Sequence, residues 1–331
     1  MNRPASIPQN RWQVAPAVPA AMQQEFGHLH PVLLQVLYNR GLTDAAHIQA
    51  FLSGHYLEST DPFLLADMDK AVARLKTAVA NEEQIVIYGD FDADGVTATV
   101  LLTEALRGLG VQRGLVRPYI PDRVDEGYGL NFEALTKIRE EFGATLAITV
   151  DCGIRSAAEV AHAQAIGLDM IVTDHHSLGP KLPPGVAVIN PKRPDSAYPE
   201  LMLAGVGIAY KLAQAIHSEL PAANGFELNS LLDLVAIGTV ADLAPLLGEN
   251  RKLVQDGLAV LNELRRPGLA ALAKEAKLTP GSMTAESIGF GLGPRINAAG
   301  RLDHAYTAAR LLAVNNMRQA TDFARELNNL N

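Results

Sequence analysis

From residue 66 the chain alternates between two hydrophobic rhythms. Met68, Ala71, Val72, Leu75, Ala78 and Val79 recur at helical spacing, and the β-branched run IVIY follows at 85–88. VTATVLLTEALRGLG (96–110) returns to helix and stops on glycine. GLVRPYI (114–120), TLAITV (145–150), DMIVT (169–173) and VAVIN (186–190) read as further strands. NFEALTKIREEFG (131–143) and RSAAEVAHAQAIG (155–167) read as the helices between them. Short apolar strands separated by helices predict an α/β fold, a doubly wound, mainly parallel sheet covered on both faces, over residues 66–200. Residues 201–304 read as a mostly helical remainder of that domain, and 305–331 as the start of a long helix with no stop signal. Residues 1–65 are rich in Pro and Ala, hold a short helical stretch at 31–42, and suggest no chemistry.

The residues at the strand ends change the picture. IVIYG runs into Asp90, Asp92 and Asp94; TLAITV ends on Asp151; DMIVT ends on Asp174, His175 and His176. Open α/β sheets bind ligands outside the carboxyl ends of their strands, so three separate strands deliver acids and imidazoles to one edge. Like charges this close repel unless a cation lies between them. Asp242, in the apolar run LVAIGTVADLAPL, reads either as a helix cap or turn residue or as one more ligand. Carboxylates with imidazoles and no thiolate suit Mn²⁺ or Mg²⁺, and so many ligands fit two ions better than one. Two ions about 3.5–4 Å apart stabilise both the attacking and leaving oxygens of a phosphoryl displacement.

Rival readings of DxDxDG fare worse. A calcium EF-hand loop needs a bidentate Glu at its twelfth place; counted from Asp90 that place is Leu101. A phosphatase of the haloacid-dehalogenase type would use an aspartate nucleophile, but leaves Asp174, His175 and His176 idle. The G-x-G pairs in AGVGIAY (204–210) and GFGLGP (289–294) follow no clear strand, and the first reads as close helix packing.

Composition narrows the class further. One cysteine, Cys152, rules out a disulfide framework and fits a reducing, cytoplasmic setting. The longest apolar stretch, 231–247, carries Asp233 and Asp242 and is too short to span a bilayer, so no membrane partner is expected. No signal peptide is read at the N-terminus. The net charge of −8 speaks against a polyanion partner, but it is uneven: 251–310 hold nine Lys/Arg against five Asp/Glu.

The stretches YGDFDADGVTAT, TVDCG, VTDHH and GTVADLAPL resemble the four successive motifs of the DHH phosphoesterases. PDRVDEGYGL (121–130), INPKRP, LAGVGIAYKL and GFGLGPRINAAGRLD are similar to the branch of that family that degrades single strands, from about residue 66 to the last. The resemblance implies a 5′→3′ exonuclease releasing 5′-mononucleotides from single-stranded DNA, in DNA repair and recombination. It also implies dependence on two ions of Mn²⁺ or Mg²⁺. By position, Asp94, Asp151, His175 and Asp242 would hold one ion; Asp92 and Asp151, with Asp90, the other; Asp151 would be the bridge. His176 would touch the scissile phosphate or orient its neighbours. Arg123, and then Arg295, Asn297 and Arg301, are the expected phosphate and DNA contacts, and Tyr128 is either a base platform or a core residue. A single-strand-binding protein and a helicase are implied partners. The family's DHHA1 and oligonucleotide-binding domains are not visible, so the chain reads as a fragment. Two other functions stay open: a phosphodiesterase for short oligonucleotides or cyclic dinucleotides, and a non-catalytic replication scaffold.

Overall fold

Three short helices, α1 (Ala20–Glu25), α2 (Pro31–Asn39) and α3 (Ala45–Ser53), bury Met22, Leu34, Leu37 and Ile48 in a small core of their own. They belong to the first of two units, Met1–Leu57 and Glu58–Asn331. The structure is a computed structural model. It describes residues 13–54, 60–122, 127, 129–220, 222–223, 225–301 and 305–331, without the side chain of Arg301. Arg123 and Tyr128 therefore lie outside the described residues.

The second unit is built on five parallel strands in the order β2-β1-β3-β4-β5. Their ranges are β1 (Ile85–Gly89), β2 (Val116–Tyr119), β3 (Leu146–Val150), β4 (Asp169–Thr173) and β5 (Ala187–Ile189). Ile85 stands opposite Val116 on one side and Leu146 on the other. Side chains alternate across the sheet. Ile85, Ile87, Ile148 and Ile171 enter the larger core, while Val86, Tyr88, Ala147 and Val172 enter the smaller one. Helices cover both faces, as the β-branched strands require.

α4 (Met68–Ala80) leads into β1, and between the strands lie α5 (Ala93–Gly108), α6 (Phe132–Glu140) and α7 (Ala157–Ala165). Beyond β5 come α8 (Gly205–Glu219), α9 (Leu232–Ala241), α10 (Gly248–Asn262), α11 (Pro267–Glu275), α12 (Gly293–Arg301), α13 (Ala305–Ala313) and α14 (Met317–Leu330). Both α5 and α9 are buried nearly all round, because α8, α9 and α13 pack over α5. The stretch 305–331 is two helices, broken where the Asn316 side chain accepts from the Gln319 N–H and starts α14. Arg266 pairs with Glu104 and Asp233, which ties α9 and α5 to the start of α11. Among the described residues no helix is long and apolar enough to cross a membrane.

Candidate metal centre

The strand order reverses direction between β1 and β3, and sheets of this order bind ligands in the crevice at that switch point. Asp90 and Asp92 follow β1; Asp151 follows β3; Asp174, His175 and His176 follow β4. The chain leaves β1 as an extended turn. Asp92 then caps α5 by accepting from the Gly95 N–H at 3.0 Å, which brings Asp94 into the first helical turn. Asp94 is buried, and both its oxygens are held: Oδ2 accepts from the Gly205 N–H at 2.7 Å and Oδ1 from the Val206 N–H at 2.8 Å. Those donors are the free N–H groups at the start of α8, whose dipole favours an anion there.

Asp151 takes a left-handed backbone, φ 63°, which aspartate tolerates better than most residues. The turn sends its carboxylate toward α8, where Gly205 leaves room: a Cβ on Gly205 would lie 2.6 Å from the Asp151 Cβ. Gly238 plays the same part from α9, since a Cβ there would meet Asp94 Oδ1 at 2.7 Å. Asp242 is the C-cap of α9, and its Oδ2 lies 3.8 Å from His175 Nδ1. It is thus both a helix-end residue and a member of the cluster.

His175 stands at the middle of the acids. Its Nε2 is 3.1 Å from Asp151 Oδ1 and 4.0 Å from Asp94 Oδ2. Yet Asp151 Oδ1 and His175 Nε2 are both buried with no hydrogen-bond partner, so their approach lacks hydrogen-bond geometry. Two polar atoms stripped of water and aimed past one another are what a shared ligand between them would relieve. Three sets of donors each gather within 4.8 Å: Asp151, His175 and His176; Asp94, His175 and Asp242; Asp90, Asp92 and Asp151. Asp151 and His175 each belong to two sets.

The electrostatics agree with the donor chemistry. Burial, then the charge of Asp92, pushes the Asp90 carboxyl up to about 7. Asp242 rises to about 6 for the same two reasons. Asp94 and Asp151 go well above the usual carboxylate range, first through burial and then through neighbouring carboxylates. Burial, then His176, lowers His175 to about 4, so it offers neutral nitrogens. Without a cation these acids repel one another or take up protons; with one they become its ligands. Carboxylate oxygens and imidazole nitrogens with no thiolate fit a hard divalent ion such as Mn²⁺ or Mg²⁺. Cys152 is buried, and burial raises its thiol pKa well above the ordinary value.

Some polar residues serve the centre in ways the sequence did not assign. Asp174 is buried and accepts from the Ile154 N–H at 2.9 Å, the His176 N–H at 2.9 Å and His176 Nδ1 at 2.7 Å. Burial works against its charge, but the His176 hydrogen bonds outweigh it and hold its pKa below the ordinary value. It therefore aims the half-exposed His176 ring. Lys192, from INPKRP, donates to the His175 carbonyl and places a cation beside the centre. Asn297 Oδ1 accepts from the Ala93 N–H at 2.7 Å and fixes the start of α5. Arg295 donates to Asn328 Oδ1 and the Gly291 carbonyl, which ties α12 to α14. Arg295 is thus engaged within the fold, and Asn297 braces the turn that carries Asp92 and Asp94.

Comparison places the molecule. Residues 84–239 match the DHH family, N-terminal domain, and the chain belongs to that family. Among its relatives, the single-stranded-DNA-specific exonuclease RecJ of Bacillus subtilis is 43% identical over 304 residues, 92% of this chain and 37% of that protein. The RecJ of Escherichia coli is 39% identical over 312 residues, 92% of this chain and 53% of that protein. The chain thus spans about half or less of the length of these relatives. Thermus thermophilus RecJ, solved in complex with Mn²⁺, superposes with a TM-score of 0.78 at 33% identity, covering 97% of this chain and 45% of that one. A second structure, of exonuclease RecJ bound to manganese, gives 0.71 at 38% identity, covering 80% and 66%.

Proposed function

We propose that this chain is a metal-dependent 5′→3′ exonuclease of single-stranded DNA, releasing 5′-mononucleotides in cytoplasmic DNA repair and recombination. The observation that carries the reading is the orphaned pair, Asp151 Oδ1 and His175 Nε2, at the centre of the three donor sets. In this reading Asp94, Asp151, His175 and Asp242 hold one ion, and Asp90, Asp92 and Asp151 hold the other. Divalent ions held there supply Lewis-acid stabilisation of the attacking and leaving oxygens in phosphodiester hydrolysis. Residues 66–200 contribute all the ligands except Asp242, which comes from the helical part, 201–304.

The protein's own groups do the rest. The N-terminus of α8 holds Asp94 in place through two N–H groups. Asp174 fixes His176 Nδ1 and leaves the rest of that ring toward the open side, where it meets the scissile phosphate. Lys192 adds positive charge beside the phosphate path, and Arg123 and Arg301 remain the proposed strand contacts. For Arg295 and Asn297 the hydrogen bonds above support a bracing role instead. A single-strand-binding protein and a helicase would supply the strand.

The test is digestion of 5′- or 3′-labelled single strands with Mn²⁺, Mg²⁺ or chelator. Mononucleotides released progressively from the 5′ end, and only with metal, are expected. Cleavage confined to dinucleotides or cyclic dinucleotides would move the assignment to a small-substrate phosphodiesterase. No metal-dependent cleavage of any of these would leave a scaffold.

A further inference from the structure

Arg107, Arg113 and Arg117 take no part in the chemistry above. Arg107 lies in the last turn of α5, about 20 Å along the helix from Asp94 at a rise of about 1.5 Å per residue. Arg117 sits on the edge strand β2, opposite Val86 near the start of β1 and far from the acids that follow Gly89. Together with Arg113 they line a cavity of about 520 Å³, which Tyr119, Phe142 and Tyr306 also face.

These arginines lack the partners that arginines in folded proteins usually have. None of the three makes an ion pair among the described residues. Arg107 Nε is buried without a hydrogen-bond partner, and its NH2 group reaches only the Val116 carbonyl, at 3.3 Å. The near carboxylate, Glu104, is engaged by Arg266 at 2.8 and 3.0 Å. Burial, and then the charge of Arg113, lowers the pKa of Arg107, and the pull of Glu104 the other way does not offset them.

The rings beside them say which anion fits. The Arg117 guanidinium lies 5.5 Å from the centroid of Phe142, and Tyr306 is 48% exposed. A planar guanidinium fork matches the oxygens of a phosphate, and an exposed aromatic face takes a base by stacking. The cavity has the size of a small-molecule site. We propose that Arg107, Arg113 and Arg117 form a phosphate site that takes a nucleoside phosphate, with its base against Tyr306, apart from the acid–imidazole centre. The nucleotide is either free or the terminal residue of a strand. The site stands on its own geometry and does not depend on the nuclease reading.

The test is calorimetric titration of the whole chain, with chelator present so that no ion bridges a nucleotide to the acids. The probes are dAMP, inorganic phosphate, a 5′-phosphorylated oligonucleotide and an acidic peptide. Binding of dAMP at least ten-fold tighter than phosphate is expected. The double variant Arg113→Glu/Arg117→Glu changes exposed side chains, so it should keep its melting temperature while losing dAMP at least ten-fold. Tyr306→Ala should weaken dAMP several-fold and leave phosphate unchanged. Equal affinity for the oligonucleotide would identify a strand end as the source; preference for dAMP would identify the free nucleotide. Nucleotide binding that is absent, or unchanged in the double variant, overturns the site, as does tighter binding of the peptide than of any nucleotide.

Discussion

Asp151 Oδ1 and His175 Nε2 stand 3.1 Å apart in the interior, and neither makes a hydrogen bond. The pair is expensive as it stands, since burial disfavours the carboxylate and its neighbours are mostly acids. A divalent ion held by these residues would turn the same arrangement into a stabilising one.

Removing the charge of Asp151 should therefore act in opposite directions with and without metal. Asp151→Asn should be at least as stable as the parent in chelator, because one buried repulsive charge is gone. With Mn²⁺ the parent should gain about 2.7 kcal/mol at a hundred times its Kd, and the variant close to nothing. Thermal melts with and without Mn²⁺ check both halves. A variant that still responds to Mn²⁺ like the parent would refute a central place for Asp151.

Gly205→Ala tests whether the fit between α8 and the acids matters. The new methyl group would lie 2.6 Å from Asp151 Oδ1 and must displace it. Metal affinity should fall roughly 10–100-fold, the usual effect of disturbing the groups that orient ligands. Titration calorimetry with Mn²⁺ measures it, and unchanged affinity would show that Asp151 need not stay where it is.

Asp174→Ala removes the acceptor shared by Ile154 and His176. The buried Ile154 N–H left behind should cost about 1–3 kcal/mol in denaturant unfolding. The freed His176 ring should lower cleavage roughly 10–100-fold while metal binding changes less. Loss of stability without loss of turnover would mean that Asp174 only braces the loop.

Arg266→Met, remote from the centre, leaves Glu104 and Asp233 without their common partner. A loss of about 3–5 kcal/mol at neutral pH is expected from stranding buried charge. The pH dependence comes from Asp233. Burial already raises its pKa above 3.8, against the pull of Arg266, so the folded state binds more protons than the unfolded state just above that value. Stability then falls as pH rises from 3.8 through the folded value. Without Arg266 that window widens upward, so the variant should recover part of its loss in mild acid. Chemical unfolding across pH reads this directly, and a pH-independent loss would count against it.

Much of this molecule could be read along the chain. Each strand of the sheet is a short apolar run, and the residue after it is set by the same few letters. So the α/β class, the sheet and the approach of Asp90, Asp92, Asp94, Asp151 and His175 to one edge follow from periodicity and from the rule that parallel strands end together. The features that depend on distant contacts were hidden. The local pattern left Asp242 open between a helix end and a ligand, and only the family resemblance put it with His175; the two meet through the packing of α9 on α5, and the role of Gly205, which no pattern showed, depends on a helix start landing against Asp151. Asn297 meets Ala93 across 204 positions, and Arg266 meets Glu104 across 162. A local pattern carries the period of an element and the residue at its end, because both arise within a few residues of backbone. It carries no record of which distant side chain will fill a given space, because that is settled only when the helices pack.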